Sequence, residues 1–219
     1  MSSLLNVLLP PSCAGCGRPG AACCVSCAHT MRRPRPVRCE RLAVPCYALA
    51  GYQGVPRRMV LAYKERGRRD LGEELGRLLA TALPRLPGTR PDVAGWALVP
   101  APSRRAASRV RGGPHMTRIA RYCAAELAAH GRLAGLAPAL RLDAAARDAV
   151  GLDHAARAAN LSGRLRLVPG ECPAPGTRVV LLDDVLTTGA TAAACVRVLG
   201  EAGVPVDAVL AITAAHPVP

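Results

Sequence analysis

Aromatic side chains are almost missing from this chain: it has no phenylalanine, one tryptophan, and only 2% aromatics over 219 residues. Valine, leucine and alanine must therefore fill any core. The stacked platforms on which proteins hold single-stranded bases have little to be built from, which argues against direct base stacking. Lysine is scarcer still. Lys64 is the only one among 29 basic residues, which face 15 acidic ones for a formal charge of +14. A balance this basic suits polyanions such as nucleic acid, nucleotides or pyrophosphate, but an arginine- and alanine-biased composition gives the same number with no partner at all. No stretch reaches the roughly 18 apolar residues that a membrane span requires. The opening Met1–Pro11 has neither the basic start nor the apolar length of a secretory signal, and its Leu4, Leu5, Leu8 and Leu9 recur at helical spacing. These absences lead to the expectation of a cytoplasmic protein.

Half of the residues are apolar, enough for one substantial α/β core with a small appendage. The most informative stretch is Val179-Val180-Leu181-Leu182-Asp183-Asp184-Val185-Leu186-Thr187-Thr188-Gly189-Ala190-Thr191. Its four leading apolar residues, two of them β-branched, predict a short buried strand of a parallel sheet. Asp183 and Asp184 follow at the carboxyl end, where open α/β sheets place their ligands. Thr187, Thr188, Gly189, Ala190 and Thr191 then make a turn before a helical segment that starts near Ala192. Backbone N–H groups of such a turn form an anion nest, and threonine hydroxyls add donors. The acidic pair can accept hydrogen bonds from ribose hydroxyls or face a phosphate-bound Mg²⁺. The order suits a phosphorylated sugar.

Ten cysteines in a cytoplasmic chain need a reason other than disulfides. Cys13-Ala-Gly-Cys16 and Cys24-Val-Ser-Cys27 are two Cys-x-x-Cys pairs that can supply four thiolates to a tetrahedral Zn²⁺. Gly15, Gly17 and Gly20 suit knuckle turns. The gap between the pairs is shorter than in the usual ribbon, so the module is compact. Cys23 could replace Cys24, though only Cys24 completes the spacing, and His29 is a spare. A redox pair is the rival reading, but it expects a preceding strand and a single pair. Cys39 and Cys46 read as free thiols; Cys123, Cys172 and Cys195 read as ordinary small residues.

From Met31 to Pro45 the chain is rich in Arg and Pro and reads as a linker. Helical spacing marks Leu71–Leu83 and Arg118–His130, with Ala192–Ala202 a further helix; strands are expected at Trp96–Val99, Arg178–Asp184 and Val206–Thr213. The alternation implies a mostly parallel sheet.

Residues Val180 to Thr191 resemble the phosphoribosyl pyrophosphate (PRPP) signature of type I phosphoribosyltransferases. By that resemblance Asp183 and Asp184 hold the ribose hydroxyls, and Thr187 to Thr191 hold the 5′-phosphate. The whole length resembles the ComF family, phosphoribosyltransferase-like proteins associated with natural competence and DNA uptake. The resemblance is carried in order by Leu8-Leu9-Pro10-Pro11-Ser12-Cys13, Lys64-Glu-Arg-Gly67, Val99-Pro100-Ala101-Pro102, Arg109-Val-Arg111-Gly112, then Gly151-Leu152 with Arg157 and Asn160, and last the PRPP loop. It implies a type I phosphoribosyltransferase fold at 44–219, Rossmann-like with flanking helices, preceded at 1–36 by a zinc-binding module with its amphipathic turn and linker. Two departures stand out. Gly113-Pro114-His115 replaces the family's aromatic, Asn and Gln, and Ala146 and Ala149 stand where polar residues are usual. His115 could serve as a donor in place of an amide, although a histidine at a helix start is as a rule structural.

For an active transferase, the resemblance implies displacement of pyrophosphate from PRPP by a base or amine, with Asp183, Asp184 and Arg109 as catalytic residues. Arg104, Arg105 and Arg111 would join Arg109 on the pyrophosphate, since guanidinium forks suit bidentate phosphate contacts, and Mg²⁺ would bridge pyrophosphate and ribose oxygens. A second expectation is a non-catalytic partner of single-stranded DNA or DNA-uptake machinery. An ordinary purine or orotate salvage enzyme is a third, which the zinc knuckle argues against. Nothing in the sequence identifies the acceptor.

Overall fold

The computed structural model describes residues 12–89, 95–102, 113–143 and 164–215. In chain order these hold helix α1 (Val25–His29), strands β1 (Arg35–Pro36) and β2 (Cys46–Gly51), helices α2 (Gly54–Glu65) and α3 (Leu71–Ala82), and β3 (Trp96–Pro100). They continue with α4 (His115–Ala129), β4 (Ala134–Leu136), β5 (Leu140–Leu142), β6 (Leu165–Leu167), β7 (Arg178–Leu186), α5 (Ala190–Glu201) and β8 (Ala208–Ala214). No described helix is long and apolar enough to cross a membrane.

Strands apolar on both faces need cover on both faces. β2, β8, β7, β3 and β4 lie side by side and parallel, with β1 antiparallel on the outer edge of β2. Leu98, Val180, Leu182, Leu210 and Ile212 point toward α2, α3 and α4. The alternate residues Ala97, Val99, Leu181, Val209 and Ala211 point toward α5 and the β5–β6 hairpin. The architecture is thus a mostly parallel α/β sheet between helical layers. Cys13, Cys23, Cys27 and Met31 belong to the first of these two cores, so the cysteine segment packs directly on the sheet's α2–α4 side.

Helix α3 shows how the pattern becomes structure. Leu71, Leu75, Leu79 and Ala82 bury one stripe completely, while Glu73 and Glu74 suit the positive end of the helix dipole and both pair with Arg77. Three elements depart from the sequence expectations. The β7 strand runs two residues past the acidic pair, because Val185 and Leu186 pair with Thr213 and Ala214. Part of the Arg/Pro stretch is not a linker: Arg35 and Pro36 pair with Ala48 and Tyr47, at a sheet edge where a proline's missing N–H does no harm. Helix α2 is not among the sequence expectations, although Pro56, Met59, Val60 and Tyr63 recur at helical spacing and form its buried stripe.

The connections then locate the crevice. β3 leads through α4 to β4 on one side, whereas β7 leads through α5 to β8 on the other. The strand order therefore reverses between β3 and β7, and ligands of open α/β sheets bind outside the carboxyl ends at such a point.

Candidate functional site

Asp183 and Asp184 sit at that point, and the pleat sends their side chains to opposite faces. Asp184 lies on the side of α2 and α4. Its Oδ2 receives Lys64 Nζ at 2.8 Å from the last turn of α2 and His115 Nε2 at 2.5 Å from the first residue of α4. The Tyr63 hydroxyl donates to the His115 carbonyl at 3.1 Å, and Thr213 Oγ1 donates to the Asp184 carbonyl at 3.2 Å. His115 Nδ1 is buried with no hydrogen-bond partner among the described residues. Asp183 lies on the α5 side, where its Oδ1 accepts the Asp184 backbone N–H at 2.8 Å.

These surroundings split the two acids. Burial and the neighbouring Asp184 charge push Asp183 up to about 7. Burial also opposes ionisation of Asp184, but the His115 hydrogen bond and the Lys64 charge outweigh it and hold this carboxyl well below the usual range. One member of the pair is a firm anion. The other can gain or lose a proton near neutrality, so together they can both accept from and donate to a diol.

Beyond β7, Thr187 and Thr188 are exposed, and Gly189 caps α5 with φ +72°. A Cβ at Gly189 would make only ordinary contact with Cys39 Sγ and Leu42 Cδ1, both at 3.4 Å, so it is the left-handed conformation that favours glycine here. The first amides of α5, at Ala190, Thr191 and Ala192, lack acceptors within the helix. The hydroxyls of Thr187, Thr188 and Thr191 have no side-chain hydrogen bond among the described residues. Free amides, free hydroxyls and the positive end of a helix make a site chemically suited to a phosphate dianion. Arg104, Arg105, Arg109, Arg111, Arg157 and Asn160 lie outside the described residues, as does Gly151-Leu152. The end of β3, Val99–Pro100, borders the same crevice.

Comparison with known proteins adds structural similarity alone. No family model matches the chain, and no curated protein matches it. A glutamic acid mutant from an analysis of an invariant aspartic acid in HPRTs is 13% identical over 68% of this chain and 66% of its own, with a TM-score of 0.33. A hypoxanthine phosphoribosyltransferase from Trypanosoma cruzi, a mutant in a ternary complex with substrates, is 12% identical over 68% of this chain and 66% of its own, at a TM-score of 0.34. A second structure of that enzyme is 12% identical over 71% of either chain, at a TM-score of 0.35. The match thus spans just under two thirds of the first two structures, 66% of each. At these values the site's chemistry rests on its own geometry.

The second constellation is the cysteine knuckle. The sulfurs of Cys13, Cys16, Cys24 and Cys27 all lie within 4.8 Å of one another, with Cys16 and Cys24 at 3.6 Å. Tetrahedral zinc with bonds of about 2.3 Å separates its sulfurs by roughly 3.8 Å, so the four fit such an ion. Two further observations agree. Burial raises the Cys13 thiol, but backbone amides of Cys24, Cys16 and Gly15 outweigh it and bring the group down to about 6, toward the thiolate that a metal needs, whereas burial and the neighbouring cysteines push Cys27 up. A Cβ at Gly15 would lie 2.7 Å from Cys27 Sγ. The choice between Cys23 and Cys24 is also decided by direction: Cys23 Sγ points into the core at Met59 Sδ, 3.7 Å away. Arg58 Nε donates to the Gly15 carbonyl at 2.6 Å and ties the knuckle to α2.

Two site residues escape a reading by pattern. Lys64 figures only in a short motif, and His115 as a departure, yet both converge on one carboxylate oxygen. The available signal was compositional: a single lysine in an arginine-rich chain stands at the one position where a compact ammonium meets the acid.

Proposed function

We propose that this chain is a ComF-like phosphoribosyltransferase-domain protein that binds PRPP, or a related ribose 5-phosphate, at the carboxyl edge of β3 and β7. The observation that carries this reading is the meeting of the acidic pair with an open threonine–glycine helix start at the point where the strand order reverses. Thr187, Thr188, Gly189, Ala190 and Thr191 receive the 5′-phosphate. Asp184 accepts from the ribose hydroxyls, held in place and ionised by Lys64 and His115, and Asp183 supplies an acceptor or a donor according to its proton. Zinc fills the knuckle of Cys13, Cys16, Cys24 and Cys27 as a structural ion.

The reaction that such a site supports is substitution at the anomeric carbon. A bond forms from the acceptor's nucleophilic atom to that carbon as the bond to the pyrophosphate oxygen breaks. Charge develops positive on the sugar and negative on the leaving group, so donors aimed at pyrophosphate do most of the catalysis. Arg104, Arg105, Arg109 and Arg111, on the segment after β3, take that role. Mg²⁺ supplies charge neutralisation of pyrophosphate when bound, and the carboxylates of Asp183 and Asp184 are hard oxygen donors of the kind it accepts.

Calorimetric titration of the zinc-loaded chain with PRPP and Mg²⁺, beside an Asp183→Asn/Asp184→Asn double variant, tests the reading. Heat with the wild type that the variant loses is the expected result, and acceptors can then be screened by pyrophosphate release. A well-folded wild type with neither heat nor a thermal shift would overturn it, and a non-catalytic role in handling DNA would take its place.

A further inference from the structure

The basic side chains are not spread evenly. At the far end of α3 from the acidic pair, His29, Arg32, Arg33, Arg35 and Arg85 line a groove of about 810 Å³ whose remaining walls are Thr30 and Thr81. Among the described residues no carboxylate lines it, and none of these arginines is in an ion pair. Elsewhere in the described structure six arginines are in ion pairs, among them Arg68 with Asp70, Arg77 with Glu73 and Arg197 with Glu201. Others, such as Arg18, Arg66 and Arg121, stand without an acid but line no shared groove with Arg32, Arg33, Arg35 and Arg85. A second groove, of about 520 Å³, shares Thr81 and Arg85 and runs on past the carboxylate of Glu126 to His130 and Arg132.

Like charges gathered without counter-charge repel one another, so such a cluster is sustained when an anion occupies it. Four guanidinium forks can each make paired hydrogen bonds to phosphoryl oxygens. The volume is far more than one phosphate fills. Among the described residues no Phe, Tyr or Trp lines either groove, so the broad platforms on which bases stack are missing and His29 and His130 are the rings present. The walls are fixed by the fold: Thr30 Oγ1 donates to the Cys27 carbonyl at 2.7 Å, Arg35 lies on β1, and Arg85 donates to the Thr81 carbonyl.

We propose that this groove is a second anion site, separate from the carboxyl edge, which takes a ligand presenting three or more contiguous phosphoryl groups and reads those groups rather than a base. The proposal does not depend on the PRPP reading, since none of its residues belongs to that site.

Inorganic tripolyphosphate is the probe, titrated calorimetrically into the full zinc-loaded chain at low and moderate salt. Expected is saturable binding that falls with salt and that weakens by about tenfold or more in an Arg32→Gln/Arg33→Gln/Arg35→Gln variant. An Arg85→Gln variant, on a different element, guards against misfolding of the first and should weaken binding a few-fold. Arg197→Gln, at an exposed arginine outside the groove, should leave the affinity unchanged. Absence of binding, or binding that survives both arginine variants, would overturn the proposal. So would a single-stranded oligonucleotide of matched charge that binds the groove more tightly than tripolyphosphate, which would make nucleic acid the occupant.

Discussion

The cysteine knuckle and the carboxyl edge are built in opposite ways. The knuckle draws its four sulfurs from residues 13 to 27, so local turns alone bring them together. The edge draws Lys64, His115 and Asp184 from α2, α4 and β7, which only the finished fold can assemble. With zinc bound as proposed, the first site gathers four thiolates whose repulsion the cation offsets. The second matches opposite charges from within the chain. The knuckle should therefore depend on its ion, and the edge on the integrity of a buried charge group.

On the proposed zinc assignment, removing the ion should have the largest effect. Cys27 is buried in the same core as Met31, Met59 and Leu75, so loss of the knuckle unseats part of the α2–α3 side. Cys27→Ser, or a strong chelator, is expected to cost about 3 kcal/mol or more, a fall in Tm of roughly 6 °C or more for a chain of this size. Cys23→Ser should keep its full zinc content, because that thiol faces Met59. Equal zinc loss in the Cys23 and Cys27 variants would break the assignment of ligands.

At the edge, Asp184→Ala strands Lys64 and His115 beside each other with no acid between them. Loss of one partner of a fully buried pair costs about 3–5 kcal/mol. Lys64 keeps 23% of its side chain exposed, so about 2 kcal/mol is expected after solvent screening. Adding Lys64→Met should recover part of that loss in urea denaturation. If the two substitutions prove additive within about 0.5 kcal/mol, the ion pair contributes nothing to the fold, and the contrast between the two sites weakens.

The same contrast explains what the sequence discloses. Cys-x-x-Cys spacing encodes the knuckle because a tight turn relates those positions directly, and glycine at 15 leaves room for Cys27 Sγ. The β7 strand and the α5 start are legible for a similar reason: the apolar run, the acids and the threonine–glycine turn are consecutive in the chain. Helix α3 emerges from its leucine spacing to within one residue at its end. What stays hidden is whatever depends on pairing partners far away. The extension of β7 to Leu186 is set by β8, and the conversion of a predicted linker into β1 is set by β2. The meeting of Lys64 with His115 on Asp184 is set by how α2 and α4 cross the sheet. No local pattern carries that information.

The two acids allow a finer test, with the smallest effect of the three. Asp183 is raised from its ordinary 3.8 to about 7, so the native state holds a proton that the unfolded chain releases. Wild-type stability present near pH 4 is therefore lost as the pH rises toward 7, and it changes little beyond. Asp183→Asn removes that dependence while keeping an oxygen for the Asp184 N–H. Its buried amide also brings donors that need partners, which offsets part of the gain. The variant should thus be no more stable than wild type at pH 4.5 and more stable by on the order of 1 kcal/mol at pH 8. Denaturation of both proteins at these two pH values gives the answer as a difference of differences. A gap that stays constant with pH would mean that Asp183 ionises as an ordinary carboxylate. The edge would then carry two firm anions, and the proposed division of labour between the acids would fall.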